Sequence, residues 1–178
     1  YYVVLPKVDN YMKKKIILLG SIPLATKILK LLLARPEIEV VGVVCEQKSR
    51  EFFAHCESHE PCVYDFLATL DNKRIPIYTA QELVRAFKKQ ELYCAISARN
   101  PDILSQEVLD RFSKGVINCH GGPLPQFGGL NAANFAILQN QKKFAGTIHY
   151  MSHKIDGGPI IARKWFSVGE HDTAYDVF

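Results

Sequence analysis

Short apolar runs alternate with helically spaced apolar residues along most of the chain. Lys15 to Leu19 is an apolar run ending in Gly20, the signature of a strand entering a tight turn. From Leu24 to Leu33, the residues Leu24, Ile28, Leu31 and Leu32 recur at helical spacing, and Pro36 stops the helix. Ile38 to Cys45 (IEVVGVVC) is a β-branched run of strand length. Strand, helix and strand within about thirty residues form a βαβ unit. Both strands are apolar almost throughout, as parallel strands buried on two faces should be.

The pattern then repeats. Ile75 to Tyr78 reads as a strand, Ala80 to Lys89 as a helix and Leu92 to Ser97 as a strand. Asp102 to Phe112 reads as a helix and Gly115 to His120 (GVINCH) as another strand. A Gly/Pro-rich loop, Gly121 to Gly129, precedes a helix from Asn131 to Gln139. Thr147 to Met151 and Pro159 to Val168 read as two further strands. The alternation predicts an α/β fold, a Rossmann-like doubly wound, mostly parallel sheet. Cys45 to Leu70 is the least regular stretch and reads as a long surface loop or insertion. Tyr1 to Tyr11 differs in character from the rest of the chain and is set aside as a leader. Residues 12–178 are then one domain, truncated at its C-terminus if the chain is a fragment.

With 178 residues, 48% of them hydrophobic, the chain is long enough for one real core. The net charge of +4 is mild and suits anionic small molecules. Lys13, Lys14 and Lys15 are the densest basic cluster, too short to argue for nucleic acid. No apolar stretch reaches the roughly 18–20 residues of a membrane span, because Gly20, Ser21, Pro23, Lys27 and Lys30 interrupt the longest one. This implies a cytoplasmic protein. The five cysteines show no framework spacing and read as free thiols.

Several segments could carry chemistry. A dinucleotide site would read GxGxxG after the first strand, but the turn is Gly20-Ser21-Ile22-Pro23-Leu24-Ala25 and lacks two of the glycines. No phosphate-binding GxxxxGK[ST] loop occurs either. The stretch Ile117 to Gly129 (INCHGGPLPQFGG) says more. Asn118 and His120 lie two apart on a strand, so their side chains share one face near its carboxyl end, where open α/β sheets bind ligands. Cys119 between them should face the other way and pack. Asp156 stands in a Gly-rich turn, Ile155-Asp156-Gly157-Gly158-Pro159, which alone reads as an ordinary turn. Together an amide, an imidazole and a carboxylate suggest direct attack on an acyl carbonyl, with donors for the oxyanion and no covalent enzyme intermediate. Cys45, His55, Cys56, His59 and Cys62 are dense in zinc-ligand types, but their spacing matches no ligand pattern, and no metal is expected.

On Asn118-Cys119-His120, Gly122-Pro123-Leu124-Pro125, Gly128, His149 and Ile155-Asp156-Gly157-Gly158, the sequence resembles the folate-dependent formyltransferase family. Its members include methionyl-tRNA, glycinamide ribonucleotide and sugar-nucleotide N-formyltransferases. The resemblance runs from about Met12 to the chain end. It implies Asn118, His120 and Asp156 as catalytic residues and 10-formyltetrahydrofolate as formyl donor. It also implies two pterin-binding loops, Pro101 to Leu104 and Ser152 to Asp156, whose contacts are mostly main-chain. Their named residues are Pro101, Ile103, Leu104, Ser152, His153, Lys154 and Asp156.

The sequence departs from the family pattern where the common N-x-H-x-S-L-L-P has a serine and a leucine; here they are Gly122 and Pro123. The G-P-L-P form is similar to sugar N-formyltransferases and to formylation domains of peptide synthetases. The first turn lacks the Gly-Ser-Asn run that binds ribonucleotide phosphate. Gln126-Phe127-Gly128-Gly129 stands where the tRNA enzyme is Arg-rich. The resemblance therefore implies a small-molecule amine acceptor, foremost an amino-sugar nucleotide. Methionyl-tRNA formylation, peptide-synthetase-type formylation, a hydrolase of the formyl donor and a catalytically weak folate-binding fragment stay as alternatives. A homodimer through a region C-terminal to this one is also compatible with the family.

Overall fold

The computed structural model describes residues 12–20, 23–44, 61–98, 100 and 102–177. Strand β1 is Lys14–Leu19, helix α1 Pro23–Leu33 and β2 Ile38–Val44. Helix α2 spans Pro61–Lys73, β3 Ile77–Tyr78, α3 Ala80–Ala86 and β4 Cys94–Ala98. Then come α4 Gln106–Leu109, β5 Val116–His120, α5 Ala132–Leu138, β6 Lys143–Tyr150, β7 Ile160–Ser167 and α6 Ala174–Val177.

One seven-stranded sheet runs in the order β3-β2-β1-β4-β5-β6-β7. All pairs from β3 to β5 are parallel, whereas β6 pairs antiparallel with β5 and with β7. This is the doubly wound, mostly parallel sheet that the alternation predicts. Because β1 is central, it is apolar on both sides. Ile16 and Leu18 join Ala25, Leu29 and Leu32 of α1 and Phe66 and Leu70 of α2, while Ile17 and Leu19 join Leu83 of α3 and Val108 of α4. Period-two alternation thus sends successive residues of one strand into opposite layers. A third cluster, with Ala132, Ala133 and Ala136 of α5 around Phe144 and Val177, closes the β6 end.

Gly20 lets β1 turn tightly. Its φ is +113°, and a Cβ there would run into the carbonyl oxygen of Ala98 on β4. Helix α3 begins with a capping box, in which Thr79 Oγ1 accepts from Glu82 N (3.2 Å) and Glu82 accepts from Thr79 N (2.7 Å).

Three expectations need correction. The stretch 45–70 is not all loop, since α2 begins at Pro61 and buries Phe66 and Leu70, four residues apart on one helical face. The helix expected over 102–112 shrinks to Gln106–Leu109, because Ser105 caps it by accepting from Val108 N. The strand expected at Thr147 starts at Lys143, since Phe144 and Ala145 are buried as well. The proposed leader 1–11 lies outside the described residues. Among the described residues, no helix is long and apolar enough to cross a membrane.

Candidate active site

The antiparallel register of β5 and β6 assembles the site. Asn118 pairs with His149, and His120 with Thr147. Paired residues project to the same sheet face, so two residues of each strand share one floor. Cys119 pairs with Ile148 and Ala98 instead, and Ala98 belongs to the α1 and α2 layer, so the thiol lies on the other face. Burial raises its pKa above the ordinary thiol value.

Asp156 comes from the turn between β6 and β7 at φ +49°. It joins the two histidines. Its Oδ2 lies 3.5 Å from His120 Nδ1, and its Oδ1 lies 3.5 Å from His149 Nε2. The backbone N–H of Gly129 donates to Asp156 Oδ2 at 2.7 Å. On the other side of its ring, His120 Nε2 donates to the carbonyl of Phe127 at 2.6 Å. Both nitrogens of His120 therefore face oxygen, and the loop 121–129 is held by the imidazole and the carboxylate. Asn118 Nδ2 lies 3.1 Å from His149 Nε2.

The loop is also tied to β6. Thr147, 1% exposed, donates through Oγ1 to the carbonyl of Gly122 (2.7 Å) and accepts from Leu124 N (3.3 Å). Gly122 has no room for a side chain. A Cβ there would lie 2.7 Å from the Phe127 carbonyl oxygen and 3.0 Å from both Ala132 Cβ and His120 Nε2. The glycine that departs from the family serine is what this packing demands. The peptide Leu124–Pro125 is cis.

Of the residues expected at the site, Asn118, His120 and Asp156 converge. The expected pterin-binding loops divide. Ile103 is 77% exposed, whereas Leu104 is buried in the α3 and α4 layer, so any contact at Leu104 is through its backbone. Met151 packs on that same cluster, which roots the segment beginning at Ser152 on the same face. Ser152 Oγ donates to the Lys154 carbonyl and accepts from Lys154 N (both 3.2 Å), which shapes that turn; His153 and Lys154 are exposed. Pro101 lies outside the described residues, as do Cys45, His55, Cys56, His59 and the side chain of Cys62. Among the described residues, no group of His, Cys, Asp or Glu is arranged to hold a metal ion.

Three participants were not among the residues expected to act there. Thr147 and His149 alternate on β6 in phase with Asn118 and His120, a signal that needs the strand pairing to be read. Ser97 of β4 pairs with Asn118, is 1% exposed, and its Oγ has no hydrogen-bond partner among the described residues. Such an orphan beside the site floor is a place for a polar ligand atom or water.

The arrangement puts an amide and an imidazole, both hydrogen-bond donors, beside a carboxylate, and Ser97 on the same floor makes no hydrogen bond to a base among the described residues. A carbonyl seated there would be polarised for attack by an external nucleophile.

Residues 14–178 match the family profile described as formyl transferase. The chain is 30% identical over 164 residues to the methionyl-tRNA formyltransferase of Staphylococcus epidermidis, covering 89% of this chain and 51% of the relative. It is 25% identical over 139 residues to the phosphoribosylglycinamide formyltransferase of Bacillus subtilis, covering 78% and 64%. It thus spans less than two thirds of the length of these relatives. A formyltetrahydrofolate deformylase structure from Pseudomonas syringae superposes with a TM-score of 0.71 at 21% identity, covering 92% of this chain and 54% of that one, a likeness of fold.

Proposed function

The chain belongs to the formyl transferase family, and on that premise we propose that it transfers the formyl group of 10-formyltetrahydrofolate to a primary amine. The observation that carries the reading is the meeting of Asn118, His120 and Asp156 over one sheet face. The folate supplies an activated formyl group. Ile103, the backbone at Leu104 and the turn 152–156 would hold its pterin, and the orphaned Ser97 hydroxyl offers a polar contact on the same floor.

In this reading the acceptor nitrogen attacks the formyl carbon. Asn118 and His120 donate N–H to the formyl oxygen as it gains charge, His120 releasing the Phe127 carbonyl to do so. Asp156 orients the imidazole and takes up the proton the amine loses, which returns to N10 as the carbon–nitrogen bond to the folate breaks. The products are a formamide and tetrahydrofolate.

The acceptor we favour is an amino-sugar nucleotide. Segment 126–129 is uncharged, unlike a tRNA-binding loop. Beside it lies a cavity of about 350 Å³ lined by Phe127, Gln126, Gln139, Gln141, Lys143 and Trp165. An exposed indole can stack on a sugar or base, the amides can bond hydroxyls, and a lysine can meet a phosphate.

Calorimetry with 10-formyltetrahydrofolate or a stable 5-formyl analogue tests the donor. Micromolar binding supports the reading, and none at millimolar ligand removes it. Turnover with and without amine then decides between transfer and hydrolysis. A screen of amino-sugar nucleotides, methionyl-tRNA and glycinamide ribonucleotide decides the acceptor. Asn118→Ala should lower kcat roughly 10²–10³-fold.

A further inference from the structure

Two histidines flank Asp156 at the same distance, and the hydrogen bonds tell them apart. His149 is 1% exposed on β6. Its Nδ1 lies 2.9 Å from the carbonyl oxygen of Tyr150. A carbonyl only accepts, so Nδ1 carries a proton. In the neutral ring Nε2 is then a bare acceptor. The atom facing it at 3.1 Å is Asn118 Nδ2, which can only donate. The chain of bonds thus runs one way, from the Asn118 amide to the His149 ring to the Tyr150 carbonyl. A proton on Nε2 would put donor against donor at Asn118.

We infer that His149 is a positioning residue for formyl transfer: as the Nδ1–H tautomer it accepts one Asn118 N–H and so fixes which way the amide faces. This rests on the transfer reading above. One amide N–H is held by His149, and the second is left to donate to the formyl oxygen. Without the imidazole the amide could rotate and present its own oxygen, which repels an oxyanion. The same tautomer excludes His149 from serving Asp156 as a donor, so the carboxylate keeps the Gly129 N–H, with His120 Nδ1 3.5 Å away.

The test uses the whole chain with ¹⁵N-labelled histidine. Nitrogen chemical shifts of His149 should report a protonated Nδ1 and a bare Nε2 at neutral pH. One Asn118 side-chain N–H should be protected from solvent exchange, and His149→Leu should remove that protection while leaving the melting temperature and circular dichroism of a folded protein. In kinetics, His149→Leu should lower kcat about tenfold, the worth of one directed hydrogen bond, with KM for the formyl donor nearly unchanged. His149→Gln, whose carbonyl can accept from Asn118, should recover most of the loss. A proton on Nε2, or wild-type kcat in His149→Leu, would overturn the inference. If the wild type transfers no formyl group to any amine, the function fails separately, and the tautomer and exchange data still decide whether His149 orients Asn118.

Discussion

Asp156 combines a charge with an unusual backbone. At φ +49° it occupies the left-handed region, which asparagine tolerates equally well. Asp156→Asn should therefore keep the turn and still accept from Gly129 N–H, yet lose the charge beside His120. We expect the fold to be unchanged by circular dichroism while kcat falls roughly 10²–10⁴-fold. Gly122 makes the opposite test. Gly122→Ser restores the residue common in the family, but its side chain meets the Phe127 carbonyl, Ala132 and His120 Nε2. It should destabilise the protein by about 1–3 kcal/mol and lower activity; a serine variant as stable and active as wild type would show that the loop yields freely. At this scale the sequence was informative for Asn118 and His120, because period two on a strand is local. Asp156 was ambiguous, since a turn aspartate looks the same with or without a partner. Thr147 becomes legible as a site residue only through pairing with β5, and the same pairing gives His149, a residue of the family pattern, its place beside Asn118.

Helix α2 has a periodicity that its flanking sequence obscures. Phe66, Leu67 and Leu70 mark one helical face, yet the polar stretch ahead of them diluted the pattern, and the segment read as loop. Phe66 is 1% exposed against β1 and α1. Phe66→Ala should cost about 3–5 kcal/mol, measured by denaturant unfolding, while an ordinary surface loop would tolerate it. The last helix carries a pH-dependent cap. Thr173 Oγ1 and N both donate to Asp176 Oδ2, at 2.6 and 2.8 Å, and these bonds lower the carboxyl pKa. A depressed folded pKa means stability present above the unfolded value and lost as pH falls through the folded one. The melting-temperature difference between wild type and Thr173→Ala should be present at neutral pH and close in acid below the ordinary carboxylate range. A difference that persists unchanged in acid would assign the effect to packing.

Across the whole molecule, the two halves of the sheet are finished differently. Helices cover β1, β2 and β4 on both sides, while β7 exposes all eight of its residues at the edge. The alternation of elements made the parallel half legible, because a βαβ unit leaves a period in the chain. The antiparallel pairing of β5 with β6 left no such mark, since a helix, α5, lies between them as it would in a parallel unit, and the site depends on that pairing. Trp165, the single tryptophan, stands on that edge at 52% exposure and lines the cavity beside Gln126 and Phe127. It therefore reports on the step that the residues of the floor cannot, namely where the acceptor sits. An amino-sugar nucleotide in that cavity should blue-shift Trp165 emission and protect it from acrylamide, because the ring exchanges water for ligand. The phosphate should add a salt-dependent contribution through Lys143, so Lys143→Ala should weaken binding and flatten the salt dependence without changing kcat. Saturating acceptor that turns over yet leaves Trp165 fully quenchable would place acceptor recognition elsewhere. The formyl transfer proposed over Asn118, His120 and Asp156 would stand, because the floor that joins them is built by β5 and β6 and not by the edge strand.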